Sequence, residues 1–147
     1  RFYKSGADAP HREFSNLFRA TITVDGKSYP SVENFYISQK FVGTDDDYAE
    51  KIRGITNPTL VTGMGRSKEH PSRADWEEVK VGVLHAGMAA KFAQHADLMD
   101  KLRATGTAAL EYESPADAFM GIGADGTGAN HVGKILMAIR AGAGATA

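Results

Sequence analysis

A carboxylate and an amine seven positions apart, Glu33 and Lys40, are the residues of this chain best placed to do chemistry together. They lie in residues 24–41, V-D-G-K-S-Y-P-S-V-E-N-F-Y-I-S-Q-K-F. At 3.6 residues per turn, that spacing returns to nearly the same helix face about 10 Å along the axis, so one pocket can touch both. A desolvated amine attacks a carbonyl or an anomeric carbon, and a neighbouring carboxylate can carry the protons. In an arbitrary sequence such a pair is more often solvated on a surface helix. The surrounding elements must decide.

Thr21-Ile22-Thr23-Val24 alternates and is β-branched, and Asp25-Gly26 is a strong hairpin turn, which predicts a small antiparallel sheet. Ser31 can cap a helix whose apolar positions are Val32, Phe35, Tyr36 and Ile37, with Gly43 placed to end it. Asp45-Asp46-Asp47 precedes Tyr48, Ile52 and Ile55 and reads as the N-terminal cap and dipole partner of a short helix. Three consecutive aspartates lack the alternate spacing of a calcium loop. Asn57-Pro58 opens a short helical turn toward residues 63–66. Asp75 or Ser72 can cap a long helix in which Trp76, Val79, Val83, Ala86 and Ala90 recur at helical spacing, with Gly82 and Gly87 marking close packing by a neighbour. Further along come a short helix over 97–103 that stops near Gly106, and a sheet strand over 109–112. A final amphipathic helix carries Val132, Ile135, Leu136 and Ile139, and the Gly/Ala-rich tail over 141–147 is expected to fray. Phe2-Tyr3 reads as a short strand. The fold class is α+β, a mostly helical single domain over 1–147 around a small antiparallel sheet.

Composition narrows the function classes. With 17 basic and 18 acidic residues, net charge −1, no global basic field recruits nucleic acid, so any such contact must be local. Cysteine is absent, which removes disulfides, thiol nucleophiles and cysteine-ligated zinc. The histidines His11, His70, His85, His95 and His131 show no metal-ligand spacing, and no metal or bound cofactor is expected. No apolar run approaches the roughly 20 residues that span a bilayer, and the Arg1-Phe2-Tyr3 start has no secretory pattern. The expectation is an intracellular protein, cytoplasmic or nuclear, with no membrane partner.

Gly121-Ile122-Gly123-Ala124-Asp125-Gly126 matches G-x-G-x-x-G, but only 21 residues follow Gly126 and no acidic residue lies about 20 positions on, so a dinucleotide fold is excluded. The run through Gly128 instead leads to Asn130 and His131 at the start of the last helix, whose free N–H groups favour phosphate; a plain turn-rich loop is the competing reading. Arg66 follows Gly65 in a loop and is either a pyrophosphate clamp or an exposed arginine. Trp76 is favoured as core. Asp117 either caps a helical turn or faces the pocket that the glycines shape.

Several separated blocks carry a resemblance: Phe2-Tyr3, Phe14-Ser15-Asn16, V-D-G-K-S-Y-P-S-V-E through Gln39-Lys40-Phe41, Met64-Gly65-Arg66, Trp76 with Lys80, Lys91-Phe92, and D-A-F-M-G-I-G followed by G-x-N-x-x-G-x-x-L-M-x-x-R. Over nearly the whole chain, in order, it resembles the NADAR family, also called YbiA-like. The resemblance implies an N-glycosidase. Members of the YbiA type act on phosphorylated riboflavin-pathway intermediates, and others remove ADP-ribose from guanine bases modified by DarT-type toxins. It implies Lys40, Glu33 and Asp117 as catalytic residues, and Phe14, Asn16, Arg66, Trp76, Met120, Gly121, Gly123 and Asn130 as ligand-binding. Met120 departs from the tryptophan of the YbiA type, so a flat stacking platform is lost, although methionine still packs adaptably against a ring. The expected substrate is therefore ADP-ribosylated guanine in DNA, RNA or free nucleotide, with ADP-ribose as product. A riboflavin-intermediate N-glycosidase and a non-catalytic ADP-ribose or NAD reader are the alternatives.

Overall fold

The computed structural model describes residues 11–146, with side chains through residue 142. The fold is α+β: the described residues form six α-helices, a short 3-10 turn and one two-stranded antiparallel sheet. No helix among them is long and apolar enough to cross a membrane. The expected strand at Phe2-Tyr3 lies outside the described residues. The chain divides into two compact units, Asn16–Gln94 and a second that joins the segment ending at Ser15 to the chain from His95 onward.

In the first unit, strands β1 (Ile22–Val24) and β2 (Lys27–Tyr29) pair through the Asp25-Gly26 turn, with Val24 opposite Lys27 and Ile22 opposite Tyr29. Both turn residues have positive φ, 50° and 80°, as a two-residue hairpin of matching twist requires. Helix α1 (Val32–Gln39) starts where Ser31 Oγ accepts the Asn34 amide, 3.2 Å, as expected of an N-cap. It is buried from Val32 through Ser38. The Asn34 side chain donates to the carbonyls of Ile52 (2.9 Å) and Ile55 (2.8 Å), which fastens α1 to the end of α2 (Asp46–Arg53). Asp45 caps α2 by accepting from Tyr48 N, as the acidic run predicts. On the outer side, Glu50 takes Arg53 at 2.7 Å and Lys27 at 2.7 Å, tying the hairpin to α2. Those cations hold the Glu50 carboxyl at about 2, below its ordinary 4.5, so the pairing is complete above pH 4.5 and is lost as pH falls toward 2.

Helix α3 (Pro58–Met64) is a short piece opened by the Asn57 cap, and α4 (Trp76–Gln94) is the longest element. The buried face of α4 differs from the expected stripe. Trp76 is buried, but Val79, Val83 and Ala90 are half-buried and Ala86 exposed; Leu84, Gly87, Met88, Lys91 and Phe92 face inward instead. Gly87 sets this orientation, since a Cβ there would lie 2.7 Å from Phe35 and 3.2 Å from Val32 of α1. The expected close packing at Gly82 is absent: the space beside it is open. Lys91 is fully buried with its ammonium over the rings of Phe18 (5.6 Å) and Phe92 (5.5 Å), a cation–π arrangement. At the far end, the Gln94 amide bonds both the N–H and the C=O of Thr23, each at 2.8 Å.

The second unit holds the 3-10 turn (Arg12–Phe14), α5 (Ala96–Ala104) and α6 (His131–Thr146). Helix α6 continues as backbone through the Gly/Ala-rich segment to Thr146. Arg140 on α6 donates to Thr105 just past α5, 2.8 Å. Of the expected strand over 109–112 the described residues show a bridge at Tyr112, whose amide donates to the Asn130 side chain.

Paired substitutions test the α4 geometry. Gly87→Ala should lower stability by about 1–3 kcal/mol through overpacking against Phe35, whereas Gly82→Ala should raise it by up to about 1 kcal/mol from helix propensity. Urea denaturation midpoints read both, and an equal effect at the two sites would refute the close approach at Gly87.

Candidate active site

Glu33 sits in the first turn of α1 and Lys40 is its C-cap, one residue beyond the helix. Glu33 is 9% exposed and Lys40 is half-buried, so the pair is not a solvated surface pair. Both side chains reach the same partner. Thr62 Oγ1 donates to Glu33 Oε1 at 3.3 Å, and Lys40 Nζ donates to the Gly65 carbonyl at 2.8 Å. Thr62 lies in the last turn of α3 and Gly65 is its C-cap, so the C-terminal turn of this short helix receives the carboxylate and the amine together.

Gly65 makes that possible. It is buried, and a Cβ on it would lie 2.9 Å from the Ile37 Cδ1 methyl, so a larger residue there would have to push the Ile37 side chain aside. A C-terminal carbonyl of a helix has no intrahelical partner and carries partial negative charge, which suits an ammonium; when the amine is neutral, the same bond points its lone pair away from α3. Neither Thr62 nor the Gly65 carbonyl is visible as a site in the sequence. The signal available was their i, i+3 spacing at the end of a predicted helical turn.

Asn16 lies at the start of this unit, and its backbone carbonyl accepts the Glu33 amide at 3.0 Å. Its side chain is buried, and Oδ1 has no hydrogen-bond partner among the described residues. A buried acceptor without a donor costs about 1–3 kcal/mol, an expense that a bound hydroxyl or amine relieves. Arg66 is exposed on the segment after α3, with its backbone N–H on the Gly63 carbonyl. Trp76 packs its ring on Tyr36 at 5.0 Å between centroids and is 7% exposed, which is the core role the sequence favours.

The remaining expected residues belong to the other unit. Phe14 is fully buried, stacked with His11 at 5.1 Å. Asp117 Oδ1 accepts from the amides of Phe119 (2.9 Å) and Met120 (2.8 Å), so the carboxylate caps the turn that carries half-buried Met120. Gly121 and Gly123 are buried in a loop whose backbone folds onto Tyr112, with Ile122 N on the Tyr112 carbonyl. Asn130, at φ 53°, donates to the Leu110 carbonyl (3.0 Å) and accepts from Tyr112 N (2.9 Å). The expectation of free amides at the start of α6 is corrected: His131 N donates to Phe119 O and Val132 N to Met120 O. The turn closed by Asp117 folds back over the helix start, and its carbonyls take these two amides.

The α+β fold matches a known structure. The NMR structure of the Escherichia coli protein YbiA aligns with a TM-score of 0.87 over 98% of this chain and 84% of that one, at 36% identity. The NADAR domain family matches residues 1–142, through both units, and the chain belongs to that family. It is 40% identical to the N-glycosidase YbiA of Escherichia coli strain K12 over 139 residues, 95% of this chain and 84% of that protein. An N-glycosidase of Nostoc punctiforme is 36% identical over 89% of this chain and 85% of that protein. A riboflavin biosynthesis protein of Vibrio vulnificus is 35% identical over 90% of this chain, which covers 36% of that longer protein.

If Asn130 is bound up in architecture, Asn130→Ala should cost about 1–3 kcal/mol in chemical denaturation, since two backbone groups lose partners. Unchanged stability would show that its amide is dispensable to the fold.

Proposed function

We propose that this chain is an N-glycosyl hydrolase that removes ADP-ribose from guanine bases modified on the exocyclic amine, in nucleic acid or free nucleotide. The N-glycosidase relatives support the hydrolase class. The observation that carries the reading is the convergence of Glu33 and Lys40 on Thr62 and Gly65. Methionine at position 120, in place of the tryptophan of the YbiA type, weighs against a stacked pyrimidine substrate.

In this reading, the ribose opens so that its anomeric carbon is an imine carbon of the base amine. The neutral Lys40 amine adds to that carbon, forming an N–C bond; Glu33 delivers a proton to the base nitrogen; and the carbon–base bond breaks to release guanine. A Lys40 Schiff base remains. Water adds to it, Glu33 takes the proton, the lysine departs, and the sugar closes as ADP-ribose, so one water is consumed overall. Asn16 Oδ1 accepts from a sugar hydroxyl, and Arg66 offers its donor fork to pyrophosphate.

A second reading, an N-glycosidase of phosphorylated riboflavin-pathway intermediates, is favoured by the relatives named for riboflavin biosynthesis in Vibrio vulnificus and Zea mays. Incubation with the pyrimidine intermediate and detection of ribose phosphate separates it from the first. On a guanine-ADP-ribosylated oligonucleotide, Glu33→Ala should lose about 10²–10⁴-fold in rate, Lys40→Ala should be inactive, and borohydride should trap a covalent adduct on the wild type. Full activity in Lys40→Ala, or no adduct, would sink the lysine role; ADP-ribose binding with no hydrolysis of either substrate would make the chain a reader. Asn16→Ala should weaken ADP-ribose binding about tenfold by calorimetry, the loss of one hydrogen bond to a buried acceptor.

A further inference from the structure

The Lys40 amine is held by a carbonyl, and that carbonyl belongs to a segment with its own fastening. Between Met64 and Arg73 the chain leaves α3 and crosses to α4 through residues that are half-buried or exposed except for Gly65, so burial alone does little to fix it. Five hydrogen bonds tie it down. Tyr48 Oη donates to the Met64 carbonyl at 2.8 Å, next to the Gly65 carbonyl that takes Lys40 at 2.8 Å. Thr44 Oγ1 donates to the Pro71 carbonyl at 2.6 Å, and Arg73 N donates to the Lys40 carbonyl at 2.8 Å. His70 Nδ1 meets Asp45 Oδ2 at 2.6 Å.

The last of these is built into the start of α2. Asp45 uses Oδ1 to cap the helix at Tyr48 N and Oδ2 to meet His70, while the His70 ring lies flat on the Tyr48 ring, centroids 3.6 Å apart and planes 3° apart. A carboxylate only accepts, so Nδ1 carries the hydrogen. The His70 bond and the Tyr48 amide hold the Asp45 carboxyl below its ordinary range, so it is ionised at neutral pH. Asp45, Tyr48 and His70 thus form one stacked and hydrogen-bonded unit, and Lys40 is bonded to the segment it holds at two points, Nζ and backbone carbonyl.

We propose that His70, clasped by Asp45 and Tyr48, is a positioning residue for the Lys40 amine: it sets the Gly65 carbonyl and the Arg73 amide between which Lys40 is held. This rests on the reading of Lys40 as the reacting amine. The clasp acts on the position of the Lys40 amine, and a displacement of the order of 1 Å at a reacting group lowers turnover by up to about 10²-fold.

Two substitutions at His70 separate positioning from general stability. His70→Phe keeps a ring on Tyr48 but removes the donor to Asp45; His70→Asn keeps an N–H near the Nδ1 position but removes the ring. Expected is a fall in kcat of at least tenfold for His70→Phe, larger than any change in KM, and recovery of most of kcat in His70→Asn. Amide hydrogen exchange is read on the same proteins: the Arg73 amide should exchange faster in His70→Phe, while core amides of α1 and α4 keep wild-type protection. Wild-type kcat in His70→Phe, a change confined to KM, or no advantage of Asn over Phe would overturn the proposal. If the wild type turns over neither substrate or forms no borohydride adduct, the lysine reading fails on its own, and the exchange of the Arg73 amide decides the clasp: unchanged exchange in His70→Phe overturns it.

Discussion

The approach of α3 to α1 is the constraint on which the placement of Glu33 and Lys40 depends. Ile37 fills the space where any side chain at position 65 would begin, and with glycine there the two helices come close enough for the Gly65 carbonyl to meet the Lys40 amine. A short helix ends with carbonyls that have no partner within it, and those of Met64 and Gly65 are met by a tyrosine hydroxyl and a lysine amine from two other parts of the unit. The negative end of a helix is a favourable seat for an ammonium. It also directs the free amine, because one N–H is already committed to the carbonyl. The carboxylate of Glu33, anchored on Thr62 one turn earlier, is placed by the same helix end.

The Gly-rich run of the other unit shows the opposite relation between motif and structure. Read as a string it resembles a phosphate loop, yet Gly121 and Gly128 are required by the backbone that passes beside them. Gly133 faces the Leu110 carbonyl and the Asn130 amide, and Gly121 faces the Tyr112 carbonyl, so a Cβ at either position would collide with main chain or with a bonded side chain. Asp117 closes the turn that covers the first amides of α6. Glycine content alone does not separate a loop that cradles a ligand from one that cradles its own chain, since both demand close backbone approach.

The expectations that held were those with a local physical signal. The Asp25-Gly26 hairpin, the Ser31 and Asp45 caps, the short α3 and the final amphipathic helix each rest on contacts within a few residues. Those that failed depended on distant partners. The inward face of α4 turned on whether Gly82 or Gly87 met a neighbour, and it is α1, some fifty residues earlier in the chain, that decided for Gly87. In the 109–112 segment the Leu110 carbonyl and the Tyr112 amide are taken by Asn130, about twenty residues away. The α6 amides were closed by a turn whose carbonyls no spacing rule identifies.

By itself, the sequence determined that Glu33 and Lys40 share a helical stretch, that an α+β fold surrounds them, and that their blocks are those of the NADAR family. Such information is encoded in helical period, turn chemistry and motif order, all of which act over short stretches of chain. Only the tertiary structure decided that the two groups are drawn to a single helix end, that Thr62 and the Gly65 carbonyl receive them, and that the buried Asn16 acceptor meets no donor among the described residues. It alone brought His70 onto Tyr48 and Asp45. The physical reason is that burial and close packing choose which distant backbone groups meet, and a carbonyl, unlike a side chain, leaves no mark in the sequence.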